Sequence, residues 1–245
     1  MVTKNQIKLI TSLQQKKYRV QHSLFVAEGN KVISELLESN LTLNHLYTTE
    51  APFQGISPQN QTQITEAELN KISALTTPNA CLAVFKISQP KAYIDQGLVV
   101  ALDAIRDPGN LGTILRLCDW FGIEQIICST ETVDLYNPKV IQATMGSIAR
   151  VSVIYCDLHA LLQTTKLPVY GTFMSGINIY QTKLAHEGII VFGNEANGIS
   201  ETIVNFIQHR ITIPRFGKLK QTESLNVSTA AAVVLSEFNR DFNEK

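Results

Sequence analysis

The chain has 245 residues, 44% hydrophobic and 17% charged, a composition that supports an ample folded core and excludes a disordered chain. Its 21 basic and 21 acidic residues cancel, so net charge by itself argues for no nucleic-acid partner. No apolar run approaches the roughly 20 residues of a membrane span. The N-terminal stretch MVTKNQIKLITSLQQKKYR lacks the apolar core of a secretion signal, so a cytoplasmic location is expected.

Up to residue 90 the chain alternates between short helical and extended patterns. QIKLITSLQQKK places Ile7, Ile10 and Leu13 at near-helical spacing. SLFVAEG reads as a strand leading into a helix NKVISELLESN with Asn30 as its N-cap. LNHLYTT and TQIT read as strands, EAELNKISAL as a helix and ACLAVFKIS as a last strand. Together they predict a small α/β domain over residues 1–90. SQPKAYIDQG follows, and its Pro, Gly and polar residues predict a linker, assigned to 91–97.

From Leu98 to the end the alternation is regular. Strands are predicted at LVVALD, QIIC, VSVIYC, PVYGTFM, GIIVFGN and RITIP. Helices are predicted at LGTILRLCDWFG, NPKVIQATMGSIAR, LHALLQTT, SETIVNFI and SLNVSTAAAVVLSEFNRDF. Continuous apolar strands separated by amphipathic helices imply a second α/β domain, 98–245, with a parallel sheet covered on both faces. Cys81, Cys118, Cys128 and Cys156 show no metal-ligand or C-x-x-C spacing; they read as free core cysteines, and no metal is expected.

Ligands of open parallel sheets bind beyond the carboxyl ends of the strands, and three loops there carry unusual polar residues. In RDPGNLGTILR, residues 106–116, Pro108-Gly109 suits a type II turn and Asn110 a helix cap, with Leu111, Ile114, Leu115 and Cys118 facing the core. Thr113, Arg116 and Asp119 then share the opposite face. The spacing matches neither G-x-G-x-x-G nor a P-loop. In GIIVFGNEANGIS, Glu195 directly follows a core strand, where a carboxylate needs a partner, a cap or a task. In ITIPRFGKLKQTESLNVSTAAAV, a basic loop leads to Ser224 and Asn226 at a helix start, where either could satisfy orphan backbone donors. None of the five histidines lies in these loops, which argues against acyl transfer or metal hydrolysis. Two acid-free basic stretches, one with Lys16, Lys17 and Arg19 and one with Arg215, Lys218 and Lys220, are either solvated faces or the track of a phosphate backbone.

DAIRDPGNLGTILRLCDWFGI, IIVFGNEANGIS and ITIPRFGKLKQTESLNVSTAAAVVLSEF closely resemble, in order and spacing, the three signature motifs of the SpoU/TrmH branch of the SPOUT RNA methyltransferases. DLYNPKVIQATMGSIARVSV is similar to the same family, and IKLITSLQQKKYRVQHSLFVAEGNKVISELL to its ribosomal-protein-like RNA-binding domain. The resemblance spans nearly the whole chain. It implies 2′-O-methylation of a ribose in tRNA or rRNA with S-adenosylmethionine as donor, a homodimer, and a C-terminal domain tied in a trefoil knot. By motif position it assigns catalytic duty to Asn110, Arg116, Glu195, Ser224 and Asn226, and donor binding to Thr172, Gly193, Ile213 and Leu225. The two basic stretches then fall on the RNA-binding domain and on the loop entering the active site, so RNA contacts are expected at Lys16, Lys17, Arg19, Arg215, Lys218 and Lys220.

Methyl transfer to a ribose hydroxyl requires alignment of oxygen, methyl and sulfur, and stabilisation of charge growing on the oxygen. A guanidinium with a pKa above about 12 makes a poor base, so Arg116 is expected to bind the 2′-oxygen and adjoining phosphate. The proton then passes to the phosphate, a water or Glu195. Two other readings compete: an inactive RNA-binding or assembly factor on the same fold, and a nucleotide-dependent oxidoreductase. The absent G-x-G-x-x-G and hydride-transfer histidine count against the oxidoreductase.

Overall fold

The computed structural model describes residues 1–89, 92–219 and 224–240. It forms two compact units. One comprises Met1–Gln89 and Asp134–Ala149, the other Pro90–Val133 and Arg150–Lys245.

The first unit holds helices α1 (Lys4–Ser12), α2 (Lys16–His22), α3 (Asn30–Leu37) and α4 (Glu66–Ile72) with strands β1 (Leu24–Glu28), β2 (Leu43–Thr48), β3 (Gln61–Gln63) and β4 (Cys81–Lys86). The strand order is β1-β4-β2-β3, antiparallel except for the parallel β2–β3 pair. Ile10, Leu13, Val26, Leu69, Ile72, Leu82 and Val84 form one core cluster. The single helix expected over QIKLITSLQQKK is two helices, α1 ending at Ser12 with Leu13 as C-cap and α2 beginning at Lys16. Asn30 is inside α3 rather than its cap. Gly29, at φ 88°, takes the cap position, and Asn30 instead accepts from the Cys81 thiol and donates to Glu50.

Residues 134–149, an excursion between two strands of the second unit, pack with the first. Here the expected helix over NPKVIQATMGSIAR is interrupted. Helix α6 (Pro138–Thr144) stops at Met145, which is left-handed at φ 51°, and Gly146 follows at φ 100°. A Cβ on Gly146 would lie 2.5 Å from Cβ of Glu35, so only glycine lets this turn approach α3. The Tyr136 ring packs on Phe25 with centroids 4.8 Å apart. Arg19, 3% exposed, anchors the excursion: its Nε donates to Asp134 Oδ2 at 3.0 Å, and its Nη1 to the carbonyls of Leu13 and Gln14 at 2.8 and 2.9 Å.

The second unit is built on a six-stranded, wholly parallel sheet, in the order β10-β8-β9-β5-β6-β7. Its strands are β5 (Leu98–Asp103), β6 (Gln125–Cys128), β7 (Ser152–Tyr155), β8 (Val169–Asn178), β9 (Gly188–Gly193) and β10 (His209–Thr212). The sequence thus foreshadows every strand, although β8 runs four residues past the predicted PVYGTFM. Val99, Ala101, Ile127, Ile189 and Val191 face α7 (Leu158–Thr164) and α8 (Glu201–Val204). The alternate residues face the other layer, in which α5 (Pro108–Trp120) packs beside α9 (Val227–Phe238). Ala231, Val234, Leu235 and Phe238 of α9 are buried, the larger three contributing roughly 1.5–3 kcal/mol each. All four cysteines are free. Burial pushes the thiols of Cys118 and Cys128 far up, which leaves them as inert packing groups. No helix among the described residues is long and apolar enough to cross a membrane.

Candidate active site

The sheet order reverses direction at β5, with β6 on one side and β9 on the other, and the loops leaving β5, β9 and β10 gather at this edge. After β5 the chain passes through Ala104 at φ 57° and enters α5. Asp107, not Asn110, caps this helix, its carboxylate accepting from the Asn110 backbone N–H at 2.8 Å, with Pro108 in the first turn. Pro108-Gly109 is therefore helix rather than a type II turn. A Cβ on Gly109 would sit 3.0 Å from Asp107 Oδ1, so this glycine makes room for the capping carboxylate. The Asp-Pro pair is a recognisable cap signal in the sequence. Asn110, released from capping, is buried with its side chain free for other partners.

The second loop is fastened at its base. Asn194 Nδ2 donates to the Ala104 carbonyl at 2.7 Å, and its Oδ1 accepts from the backbone N–H groups of Ala196 and Asn197. Buried Asp103 accepts from the Ser200 N–H at 2.7 Å. The loop closes back on Gly193, where an added Cβ would lie 2.2 Å from Gly198 C and Ile199 N. The tie of Asn194 to Ala104 and that of Asp103 to Ser200 are not legible in the sequence, because each joins a side chain to the backbone of a distant segment.

In the third loop, Asn226 is the N-cap of α9, its Oδ1 accepting from the N–H groups of Ser228 and Thr229. Its Nδ2 donates to Asn110 Oδ1 at 2.9 Å, while Asn110 Nδ2 donates to Glu195 Oε1 at 2.9 Å. Three residues, one from each loop, thus form a single chain of hydrogen bonds. Each link also fixes an amide orientation, since Asn110 must present its oxygen to Asn226 and its nitrogen to Glu195.

This chain borders a cleft of about 1550 Å³. Thr172, Gly193, Ile213 and Leu225 all line it, as do Glu195, Ser224 and Asn226. Ser224 makes no side-chain hydrogen bond to this network among the described residues and contributes to the wall of the cleft. Arg116 is exposed on the outer face of α5, with no hydrogen bond or ion pair among the described residues, and does not line the cleft. Lys16 and Lys17 are exposed on α2, Lys17 lying over the Tyr18 ring, and Arg215 and Lys218 are exposed at the cleft. Arg19 is a correction: its guanidinium is buried and bound to Asp134, so it is withdrawn from any RNA surface. Lys220 lies outside the described residues. Among the described residues no cluster of His, Cys, Asp and Glu could hold a metal ion.

Residues 97–236 match the model of the SpoU rRNA Methylase family. The chain belongs to that family. Residues 4–83 match a second model, the MRM3-like substrate binding domain. The SpoU chain is 28% identical over 240 residues to the 23S rRNA (guanosine(2553)-2′-O)-methyltransferase RlmP of Bacillus subtilis, covering 95% of each protein. Among solved structures it is similar to a TrmH-family protein from Porphyromonas gingivalis, with 36% identity, a TM-score of 0.88, and coverage of 98% of this chain and 99% of the other. The AdoMet-bound rRNA methyltransferase of Sinorhizobium meliloti shares the fold, with a TM-score of 0.85 at 24% identity, over 100% of this chain and 97% of that one.

Proposed function

We propose that the cleft binds S-adenosylmethionine and that the enzyme transfers its methyl group to a ribose 2′-hydroxyl in rRNA or tRNA. The observation that carries this is the Glu195–Asn110–Asn226 chain, which joins the three signature motifs at the rim of one cleft. The cleft suits the donor: its volume accommodates a nucleoside-sized ligand, its walls include Ile213, Leu225 and Val234, and the Glu195 carboxylate offers charge complementary to a sulfonium. The donor supplies an electrophilic methyl group. Thr172, Gly193, Ile213 and Leu225 hold it, in part through backbone groups at the strand ends. Asn110, Asn226 and Glu195 fix the geometry of the pocket, and Ser224 orients groups at its wall.

Arg116 binds the 2′-oxygen and the neighbouring phosphate. It lies six residues beyond Asn110, about 9 Å along the helix and roughly 120° around it. That position favours action on the cleft of a second copy, and with it a homodimer. A guanidinium has no lone pair to accept the proton, which leaves to phosphate, water or Glu195. The path from β10 at the sheet edge back to α9, packed beside α5, supports the trefoil knot implied by the motifs. Residues 1–90 serve as the RNA-binding domain, 91–97 as linker and 98–245 as the methyltransferase domain. Lys16 and Lys17 on one unit, and Arg215 and Lys218 on the other, supply phosphate contacts. The enzyme acts in the cytoplasm on its RNA substrate.

The test is mass-spectrometric mapping of ribose 2′-O-methyl groups in total RNA from cells with and without the gene. One site should vanish and return with the wild-type gene but not with an Arg116→Ala copy. Return of the site with Arg116→Ala would remove the arginine from the chemistry; no change on deletion would favour the inactive binding factor.

A further inference from the structure

Deepening that reading, and resting on it, we infer that Phe216 is a stacking platform for an unstacked nucleobase of the RNA substrate at the cleft mouth. The loop that carries it leaves the sheet after Thr212, and Pro214, lacking an N–H, cannot extend the β10 ladder. Asn178, at the end of β8, accepts from the Tyr180 N–H at 3.0 Å and starts the short turn Ile179–Gln181. This holds the Tyr180 ring beside that of Phe216, with centroids 6.2 Å apart and planes inclined by 34°. Phe216 is nonetheless 79% exposed, with one edge supported by Tyr180 and most of its surface open to the cleft and solvent.

An exposed phenylalanine forgoes the stabilisation that burial brings, so a ring left open at a cleft mouth is a face available to a ligand. Its neighbours say which. Arg215 and Lys218 line the same cleft and are exposed, and no acid occurs between residues 209 and 220. An aromatic face set between cations matches the two parts of a nucleotide, a base for stacking and phosphates for charge pairing. The donor's own adenine is a poorer occupant. A small cofactor is held with most of its surface covered, whereas the Phe216 ring is largely open to solvent. A base held on Phe216 is drawn out of its stack and brings its ribose to the cleft.

The experiment uses the full chain and in-vitro-transcribed 23S rRNA. F216A should raise KM for RNA about 5- to 100-fold, the effect of losing one base stack, while F216W stays within a few-fold of wild type. Affinity for S-adenosylmethionine, by calorimetry, should change less than twofold in both. In a W120F, F216W variant, RNA should quench the indole fluorescence in the absence of donor. The inference is overturned if F216A matches wild type on RNA, if donor affinity falls in step with activity, or if light scattering shows that F216A only disrupts a pair of copies. A wild-type chain that binds RNA but transfers no methyl group, together with quenching in the W120F, F216W variant, would instead refute the function proposed above and leave the platform standing.

Discussion

Removing the carboxylate of Asp134 isolates the structural role of Arg19. The guanidinium is 3% exposed, and its Nε and Nη2 both donate to Asp134 Oδ2, while Nη1 keeps the carbonyls of Leu13 and Gln14. Breaking a fully buried pair costs about 3–5 kcal/mol because a charge is left uncompensated. Asp134 is 20% exposed and two carbonyl bonds survive, which brings the expected cost of Asp134→Ala to about 2–3 kcal/mol. Asp134→Asn, keeping one acceptor, should cost less. Arg19→Met, which replaces the charge with an apolar chain of similar length, should cost less than Asp134→Ala. Urea unfolding gives the magnitude, and hydrogen exchange shows whether the loss falls on α2 and residues 134–149. RNA affinity measured against salt completes the test. Lys16→Ala with Lys17→Ala should flatten the slope by about 0.7–0.9 per lysine, and Arg19→Met should leave it unchanged. A change below about 0.5 kcal/mol for Asp134→Ala, or a flatter salt slope for Arg19→Met, would show that Arg19 works at the surface after all.

Asn226→Ala cuts the bond to Asn110 and uncaps α9, so kcat should fall about 10- to 100-fold, with a stability loss near 1 kcal/mol; thermal melting and steady-state turnover separate the two effects. Gly193→Ala drives a methyl group into the backbone at Gly198 and Ile199, so calorimetry should show donor affinity reduced at least about tenfold with the far-ultraviolet spectrum retained. Burial raises the Glu28 carboxyl above 4.5 despite the hydrogen bonds it accepts from Ser73 and Ala74. Its contribution to stability is therefore full below 4.5 and lost as pH rises through the raised value. Melting temperatures should show Glu28→Gln gaining on wild type from acid to neutral pH, and a gap that stays constant across that range would contradict the shift.

Periodicity alone located the parallel sheet of the second unit and the core stripe of α9, because strand and helix faces repeat every two and about 3.6 residues wherever one side is buried. The candidate residues Asn110, Glu195 and Asn226 were legible too, as polar groups at the ends of apolar runs. Their joining was not: the bonds of Asn110 to Glu195 and to Asn226 depend on β9 lying beside β5 and α9 beside α5, and local sequence carries no information on those pairings. The same gap explains Arg19 and residues 134–149. A basic side chain in an acid-free stretch looks solvated until a distant aspartate is brought to it, and only the tertiary structure decides that this arginine is interior while its lysine neighbours face solvent.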